Sequence, residues 1–150
     1  MILYRLSNGK YANDISGEGS RIYGGRWNPA GLATLYASEH ISLCILEILV
    51  RATKTTSPDS YTLIFIEIPN KGILSIQHNK LKQGWYHDLE YTQGIGEDFL
   101  KENGALCLKV PSAIVTQEHN YLLNPLHSEF KKVKIISTEL LGLDKRLFKN

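Results

Sequence analysis

The amino-acid sequence predicts a single α+β domain over residues 1–150. The length of 150 residues is that of one domain. With 43% apolar and 21% charged residues, the composition is that of a soluble globular protein and excludes a disordered chain, a coiled coil or a collagen-like repeat. Segments with strand patterns outnumber segments with helix patterns, and they lack the regular spacing of βαβ units, which favours α+β over a doubly wound sheet.

The first part of the chain is predicted to hold two short strands that flank a glycine-rich loop. Residues 2–6 (ILYRL) and 32–37 (LATLYA) have the composition of strands. Residues 10–31 contain five of the 12 glycines of the chain. Glycine adopts backbone angles closed to other residues and allows close backbone approach, so we expect a loop that contacts a ligand or another strand.

A helix is predicted to follow, with Ser38 as its N-cap and Ala52 near its end. Its surface is apolar nearly all round, so Glu47 is expected to be buried. A buried carboxylate needs a partner or a hydrogen-bond network. Two interpretations of Glu47 stay open: an ion pair with Arg51 at an exposed helix edge, or a carboxylate held at the wall of a cleft.

The second part of the chain is predicted to contain more strands than helices. Residues 53–60 (TKTTSPDS) form a surface loop, and residues 61–68 form a strand that Pro69 ends. The remaining predicted elements are a short helix over residues 97–103 that ends at Gly104 and strands over residues 105–110, 113–118 and 131–137.

Charge and hydropathy restrict the classes of partner. The formal net charge of +2 gives no indication of nucleic-acid binding, because affinity for phosphate backbones grows with the number of phosphates neutralised. No run of 18 apolar residues exists, so we expect no membrane span. Arg5 and Ser7 interrupt the first residues before a signal-peptide core can form, so we expect a cytoplasmic protein.

The cysteines and histidines do not predict a metal site. Cys44 and Cys107 lie among aliphatic neighbours and are expected to be buried, reduced thiols. The five histidines show no HxxxH spacing and the cysteines no CxxC spacing. We therefore expect no metal ion.

The segment YGGRWNPAG, residues 23–31, is the first candidate ligand-binding motif. Arg26 follows two glycines, and its planar fork suits a phosphate or a carboxylate. Trp27 is suited to stack on a planar ring. The alternative is a tight turn with a packed tryptophan and a solvent-facing arginine. The phosphate-binding patterns GxxxxGK[ST] and GxGxxG before a helix are absent, which argues against a kinase, an ATPase or a dinucleotide fold of that type.

The segment VPSAIVTQEHNYLLNPLHSEF, residues 110–130, is the second candidate motif. Ser112 follows a proline at a strand entrance and is suited to bond a substrate hydroxyl or phosphate, but it is not in a GxSxG elbow. Asn120 and Asn124 are expected to flank a short apolar turn. His119 and His127 are candidate bases, or else surface groups with satisfied hydrogen bonds.

The ordered set GGRWNPAG, LYAS, LCILEILV, VPSAIV, NYLLNPLH and LDKRLF resembles the RES domain family, named for an arginine, a glutamate and a serine. The resemblance covers nearly the whole chain and is loose only over residues 70–103. It implies a toxin of a type II toxin–antitoxin pair and an ADP-ribosyltransferase-like fold with a central mixed or split sheet and flanking helices. The implied partners are NAD as substrate, an Xre-like helix-turn-helix antitoxin and a second copy in a homodimer, with no further cofactor and no contact with nucleic acid or membrane.

The resemblance also assigns roles to individual residues. The family arginine, glutamate and serine fall on Arg26, Glu47 and Ser112, and a strand tyrosine falls on Tyr36; these four are the expected catalytic residues. Glu47 would stabilise positive charge on the ribose, Arg26 would grip a phosphate, Tyr36 would contact the nicotinamide ribose and Ser112 would orient a phosphate or ribose group. The residues expected to bind NAD are Arg5, Gly25, Arg26, Trp27, Asn28, Tyr36, Ser112 and Asn120.

The leading hypothesis is a toxin that cleaves the nicotinamide–ribose bond of NAD, as a glycohydrolase or a phosphorylase, and so arrests growth. Because nicotinamide leaves as a neutral base, the reaction needs neither a general acid nor a metal. Three alternatives stay open: a mono-ADP-ribosyltransferase, a ribonuclease that uses His119 or His127, and a binding module without catalysis. The leading hypothesis requires Glu47 and Arg26 to face each other across one crevice.

Overall fold

The structure, a computed structural model, describes residues 1–52 and 61–148. Its centre is one seven-stranded sheet with the strand order β4-β5-β6-β2-β1-β3-β7. The strands are β1 (Ile2–Asn8), β2 (Leu35–Ser38), β3 (Tyr61–Glu67), β4 (Ile73–Ser75), β5 (Cys107–Pro111), β6 (His119–Leu123) and β7 (Lys134–Leu141). The α-helices of the described ranges are α1 (Glu18–Tyr23), α2 (Ile41–Leu49) and α3 (Leu89–Glu102).

The sheet is mixed and is weakly joined at its centre. Among the described strands only β4 and β5 pair in parallel, and the other pairs are antiparallel. β1 and β3 share seven registered pairs, whereas β1 and β2 share one, Tyr4 with Ser38. The sheet therefore consists of two blocks, β4-β5-β6-β2 and β1-β3-β7, that meet at one pairing. The predicted α+β class with a central mixed sheet is confirmed.

Side chains alternate between the two faces of the sheet, as strand geometry requires. Leu35 and Ala37 of β2 lie in the largest apolar cluster, on one face. On the opposite face, α3 packs over β5 and β6 in a cluster that Tyr36 borders. On that same face Cys44 of α2 packs over β1 and β3. Helices α2 and α3 thus cover different blocks of the sheet.

The glycine-rich segment differs from its prediction as a loop. Helix α1 lies inside it, preceded by Gly17 at φ 75°. The helix has six residues and none of them is buried, so the sequence carries no apolar periodicity that would predict it. Ser38 is also not an N-cap: it ends β2, and His40 occupies the N-cap position of α2 without a side-chain capping hydrogen bond. Helix α2 ends at Leu49, earlier than predicted.

The prediction of a strand over residues 113–118 is wrong. The Oγ of Ser112 accepts hydrogen bonds from the backbone nitrogens of Ile114 (3.0 Å) and Val115 (3.2 Å), which turns the chain. The strand is β6 instead, so Asn120 lies in a strand and not in a turn.

The other differences concern bounds. Helix α3 begins at Leu89, well before residue 97, and ends before Asn103 at φ 51°. A 3-10 helix, Ser128–Lys132, lies where the last strand was predicted to begin, and that strand begins at Lys134. Strand β4 has three residues and was not predicted. The loop predicted over residues 53–60 lies outside the described residues.

Both cysteines are buried and free, which confirms the sequence prediction. Burial raises the pKa of the Cys44 thiol to about 11 and that of the Cys107 thiol to about 12. Within residues 1–52 and 61–148, no helix has the length and hydropathy that crossing a bilayer requires. No group of three His, Cys, Asp or Glu side chains in the same ranges is arranged to hold a metal ion.

Candidate functional site

A cleft of about 320 Å³ opens beside the junction of β1 and β2, between α1 and α2. Its volume lies at the lower end of the range of small-molecule sites. Strand, helix and glycine-loop residues all contribute to its walls. The lining residues are Tyr4, Arg5, Leu6, Gly19, Ser20, Tyr23, Gly24, Gly25, Tyr36, Ala37, Ser38, Cys44, Glu47, Ile48, Arg51 and Asn120.

Arg5 places a buried cation in this cleft. Its Nη1 donates to the backbone oxygen of Tyr36 at 3.1 Å, across the gap where β1 and β2 separate. Its Nε is buried and has no hydrogen-bond partner among the described residues. Burial lowers the pKa of the guanidinium, and the charge of Asp14 opposes this shift, but an arginine stays cationic in proteins. An unpaired buried donor is costly, so this arrangement suits an anionic ligand.

Glu47 places a carboxylate in the same cleft. Its Oε1 accepts from the Oγ of Ser112 at 3.1 Å and from the Nδ2 of Asn120 at 2.6 Å. Its Oε2 has no hydrogen-bond partner in the part of the chain that the structure describes. Glu47 and Arg51 do not form an ion pair within 4.0 Å in these ranges, and Arg51 lies beyond Leu49, where helix α2 ends. Of the two interpretations drawn from the sequence, the geometry favours the carboxylate at a cleft wall.

Ser112 supports Glu47 and does not face the cleft. Its exposed fraction is 0%, and its hydroxyl is used by Glu47 and by the two backbone nitrogens of the turn that follows. This hydroxyl therefore cannot make the contact with a phosphate or ribose that was expected from the sequence. The geometry assigns Ser112 to positioning Glu47.

Tyr36 lines the cleft, while its hydroxyl is used by the protein. The hydroxyl donates to the Oδ1 of Asn28 at 2.6 Å and accepts from the backbone nitrogen of Trp27 at 3.0 Å. Burial raises the pKa of this hydroxyl, so it remains protonated. Gly25 lies so close that a Cβ there would be 2.8 Å from the hydroxyl oxygen. The glycine is therefore required by a close approach rather than by its backbone angles.

Removing this hydroxyl is expected to destabilise the fold. Tyr36→Phe leaves the Asn28 Oδ1 and the Trp27 nitrogen without a partner, and one unsatisfied buried polar group costs about 1–3 kcal/mol. We expect the free energy of unfolding, measured by urea denaturation, to fall by at least about 1 kcal/mol. Tyr11→Phe is the control, because Tyr11 is exposed. Equal stability of the two variants would contradict the assigned hydrogen bonds.

The residues after the double glycine point away from the cleft. Arg26 does not line it within the described ranges; its Nη1 donates to the backbone oxygen of Tyr86 at 3.0 Å. Trp27 is buried against Trp85 with ring centroids 5.6 Å apart, so the alternative of a packed tryptophan is what the structure shows. The shared crevice predicted for Glu47 and Arg26 is instead shared by Glu47 and Arg5.

Asn28 is likewise a structural residue in this arrangement. It is fully buried, and its Nδ2 donates to the backbone oxygens of Ser20 (2.9 Å) and Leu32 (2.8 Å). Its Oδ1 receives the Tyr36 hydroxyl. Asn28 thus fixes Tyr36 and the glycine-rich loop, and it is not available to a ligand.

Helix α3 holds this loop in place, which the sequence analysis missed. The Oγ1 of Thr92 donates to the Arg26 oxygen at 2.6 Å, and the Nε2 of Gln93 donates to the Gly25 oxygen at 2.9 Å. At Gly96 a Cβ would lie 1.5 Å from the Trp27 oxygen. The spacing of Thr92 and Gly96, four residues apart, places both on one helix face; it was overlooked because the predicted helix began at residue 97.

The two candidate histidine bases do not line the cleft. The Nδ1 of His119 lies 3.1 Å from the Oε1 of Glu39. The Nδ1 of His127 accepts from the backbone nitrogen of Glu129 at 3.1 Å and caps a 3-10 helix. Both rings have structural partners, and this geometry does not support a ribonuclease site that uses them at the cleft.

The chain is similar to known proteins over most of its length. The sequence model of the RES domain matches residues 2–144. "Toxin Res" of Photorhabdus laumondii is 35% identical over 153 residues, covering 99% of this chain and 98% of that protein. "Toxin Res" of Pseudomonas putida is 38% identical over 150 residues, covering 99% and 100%. "Prs ADP-ribosylating toxin" of a Sphingobium species is 35% identical over 130 residues, covering 82% and 80%.

A solved structure shares the fold. The crystal structure of the M. tuberculosis MbcT–MbcA toxin–antitoxin complex aligns with a TM-score of 0.79 at 18% identity, covering 94% of this chain and 84% of that chain. At this identity the likeness concerns the fold alone. It confirms the ADP-ribosyltransferase-like architecture expected from the sequence.

Proposed function

The chain belongs to the RES domain family, and from that premise we propose that it is a toxin that cleaves the nicotinamide–ribose bond of NAD. One observation carries the proposal: the buried Arg5 guanidinium has an unpaired donor, the Glu47 carboxylate has an unpaired oxygen among the described residues, and both line one cleft. An anionic ligand that develops positive charge during reaction suits this pair. The curated relatives named "Toxin Res" support the toxin role.

Glu47 would act on the reacting ribose. Cleavage of the glycosidic bond passes through an oxocarbenium-like transition state with positive charge on the ribose. A fixed carboxylate oxygen beside that charge stabilises the transition state more than the ground state. Oε1 is used by Ser112 and Asn120, so Oε2 is the oxygen that faces the substrate. Nicotinamide leaves as a neutral molecule, and no protein group needs to protonate it.

Arg5, rather than Arg26, would bind the pyrophosphate of NAD. A guanidinium presents a planar fork of donors that matches a phosphate, and Arg5 lines the cleft. Arg51 adds a second cation to the cleft lining. Tyr36 would contact the nicotinamide riboside with its ring, because its hydroxyl is already used by Asn28 and Trp27.

The arginine assignment is tested by paired substitutions. Arg5→Ala should raise the KM for NAD by roughly 10- to 100-fold, because a hydrogen bond to a charged group contributes about 1.5–3 kcal/mol. Arg5→Lys should recover part of this loss through its charge. Arg26→Ala should change KM by less than about threefold, since removing a solvent-facing contact is worth little. A larger effect at Arg26 than at Arg5 would assign the phosphate to Arg26, and thermal melting checks that each variant is folded.

A second candidate reaction is ADP-ribosylation of a cellular protein. The Sphingobium relative named "Prs ADP-ribosylating toxin" favours it. Both reactions break the same bond and differ in the acceptor. Incubation with NAD labelled in its ADP-ribose part separates them: free ADP-ribose indicates water, ADP-ribose phosphate indicates inorganic phosphate, and a labelled protein band indicates transfer. Absence of all three products would refute the proposed NAD chemistry.

An antitoxin partner belongs to the same proposal. The structural neighbour is part of a toxin–antitoxin complex, and the family resemblance points to an Xre-like helix-turn-helix protein. Such a partner would neutralise the toxin by covering the cleft around Arg5 and Glu47. Homodimerisation is a further expectation of the resemblance. Size-exclusion chromatography with light scattering on the chain alone and with its antitoxin tests both.

A further inference from the structure

Both polar ends of the Asn120 side chain have a partner within the protein. Its Nδ2 donates to the Oε1 of Glu47 at 2.6 Å, and its Oδ1 accepts from the Oγ of Ser38 at 2.5 Å. Ser38 and Asn120 are registered partners of β2 and β6, so their side chains lie on the same face of the sheet. Ser38 is buried. The hydroxyl of Ser38 fixes the carbonyl end of the amide and leaves only the NH₂ end to face Glu47.

The cations that line the same cleft are alternative partners for the Glu47 carboxylate. Arg51 follows Glu47 by four residues, lies in the turn just beyond the end of α2 and lines the same cleft. Arg5 is a second cation of the same cleft, and the Cys44 thiol is a further titratable group near Glu47. The structure has no Glu47–Arg51 ion pair within 4.0 Å in its described ranges. The two hydrogen bonds on Oε1 therefore hold the carboxylate in a position where it makes no ion pair with Arg51.

We propose that the Ser38–Asn120 pair, together with Ser112, positions Glu47 for the reaction, so that Asn120 is a positioning residue and not an NAD ligand. This inference rests on the proposed function and deepens it. A glutamate side chain that is half-exposed otherwise samples several rotamers. Holding one oxygen by Asn120 of β6 and by Ser112, which follows the end of β5, aims the other oxygen at the cleft before the substrate binds. This is the preorganisation that catalysis requires.

The enzymatic test separates kcat from KM. Asn120→Ala should lower kcat for NAD loss by roughly 10- to 100-fold, since a misplacement of about 1 Å costs about 100-fold. KM should stay within about twofold, because no substrate contact is removed. Ser38→Ala should lower kcat by a smaller factor and Ser38→Thr, which keeps the hydroxyl, should restore it. A rise in KM with an unchanged kcat in Asn120→Ala would instead make Asn120 a ligand of NAD and overturn the inference.

A matched control removes a buried hydrogen bond without touching Glu47. The Oγ1 of Thr34 donates to the Leu123 oxygen at 3.1 Å, between the same two strand regions. Thr34→Val deletes that bond at nearly constant size, and kcat should be unchanged. If Thr34→Val lowers kcat as much as Asn120→Ala, the effect reflects general loosening of the sheet and the inference fails.

A second measurement does not depend on activity. Thermal melting of Glu47→Ala, Asn120→Ala and the double variant forms a double-mutant cycle. If Asn120 positions Glu47, the double variant should lose clearly less stability than the sum of the losses in the two single variants. Additive losses would overturn the inference even if NAD is consumed. If the wild type consumes no NAD, the proposed reaction fails, while a non-additive cycle would still show that Asn120 fixes Glu47.

Discussion

Glu47→Gln should lower the rate of NAD loss by roughly 100- to 1000-fold, the effect typical of removing one preorganised electrostatic contact. Glutamine keeps the size of the side chain and an oxygen that can accept from Ser112 and Asn120. It removes the negative charge, which is what the developing charge on the ribose requires. Stability should therefore change little while catalysis is lost, and this separation distinguishes a catalytic carboxylate from a structural one.

The measurement is nicotinamide release by the purified protein, together with the cellular NAD level and growth after induction. Glu139→Gln is the matched control, because it removes an exposed carboxylate on β7 that does not line the cleft. Glu47→Gln should relieve growth arrest and Glu139→Gln should not. If Glu47→Gln kept NAD loss within about threefold of wild type, the charge would contribute too little for transition-state stabilisation, and the proposed role would be refuted.

Gly96→Ala should produce a large loss of folding stability. A Cβ at this position would lie 1.5 Å from the backbone oxygen of Trp27, so helix α3 and the loop must move apart. Overpacking of this kind typically costs about 1–3 kcal/mol and sometimes more. We expect the free energy of unfolding in urea to fall by about 3 kcal/mol. The same shift would stretch the Thr92 and Gln93 hydrogen bonds to the loop that carries Gly25.

Gly94→Ala is the control in the same helix. A Cβ at Gly94 meets no atom within 4 Å, so alanine adds helix propensity without a clash. The expected result is a gain of up to about 1 kcal/mol. The two glycine variants should thus change stability in opposite directions. A similar loss in both would show that the helix interior, rather than contact with Trp27, sets the cost.

Local patterns were sufficient to predict the elements that carry strong periodicity. The single carboxylate within an apolar helix indicated a functional role for Glu47, and the structure places Glu47 at a cleft wall. The double glycine before Arg26 correctly indicated close backbone approach, since Gly25 lies against the Tyr36 hydroxyl. In both cases the physical requirement is local, an unusual residue within a well-defined pattern, so a single sequence can show it.

Other features depend on partners that are distant in the chain. The direction of Arg26 is set by the Tyr86 oxygen, 60 residues later, and no local pattern separates Arg26 from Arg5 as the cation of the cleft. Residues 113–118 have strand-like composition, but the buried Ser112 hydroxyl bonds the following backbone and turns the chain. The contact of Gly96 with Trp27 is invisible for the same reason: it exists only once the helix has docked.

The single pairing between β1 and β2 makes Arg5 serve two purposes at once. Its bond to the Tyr36 oxygen bridges the seam between the two halves of the sheet, where ladder hydrogen bonds are missing. In the proposed function, the same guanidinium also binds the pyrophosphate of the substrate. The contact between the two halves of the sheet and the proposed binding of an anion therefore depend on the same side chain. A substitution that strengthened one of these interactions would weaken the other.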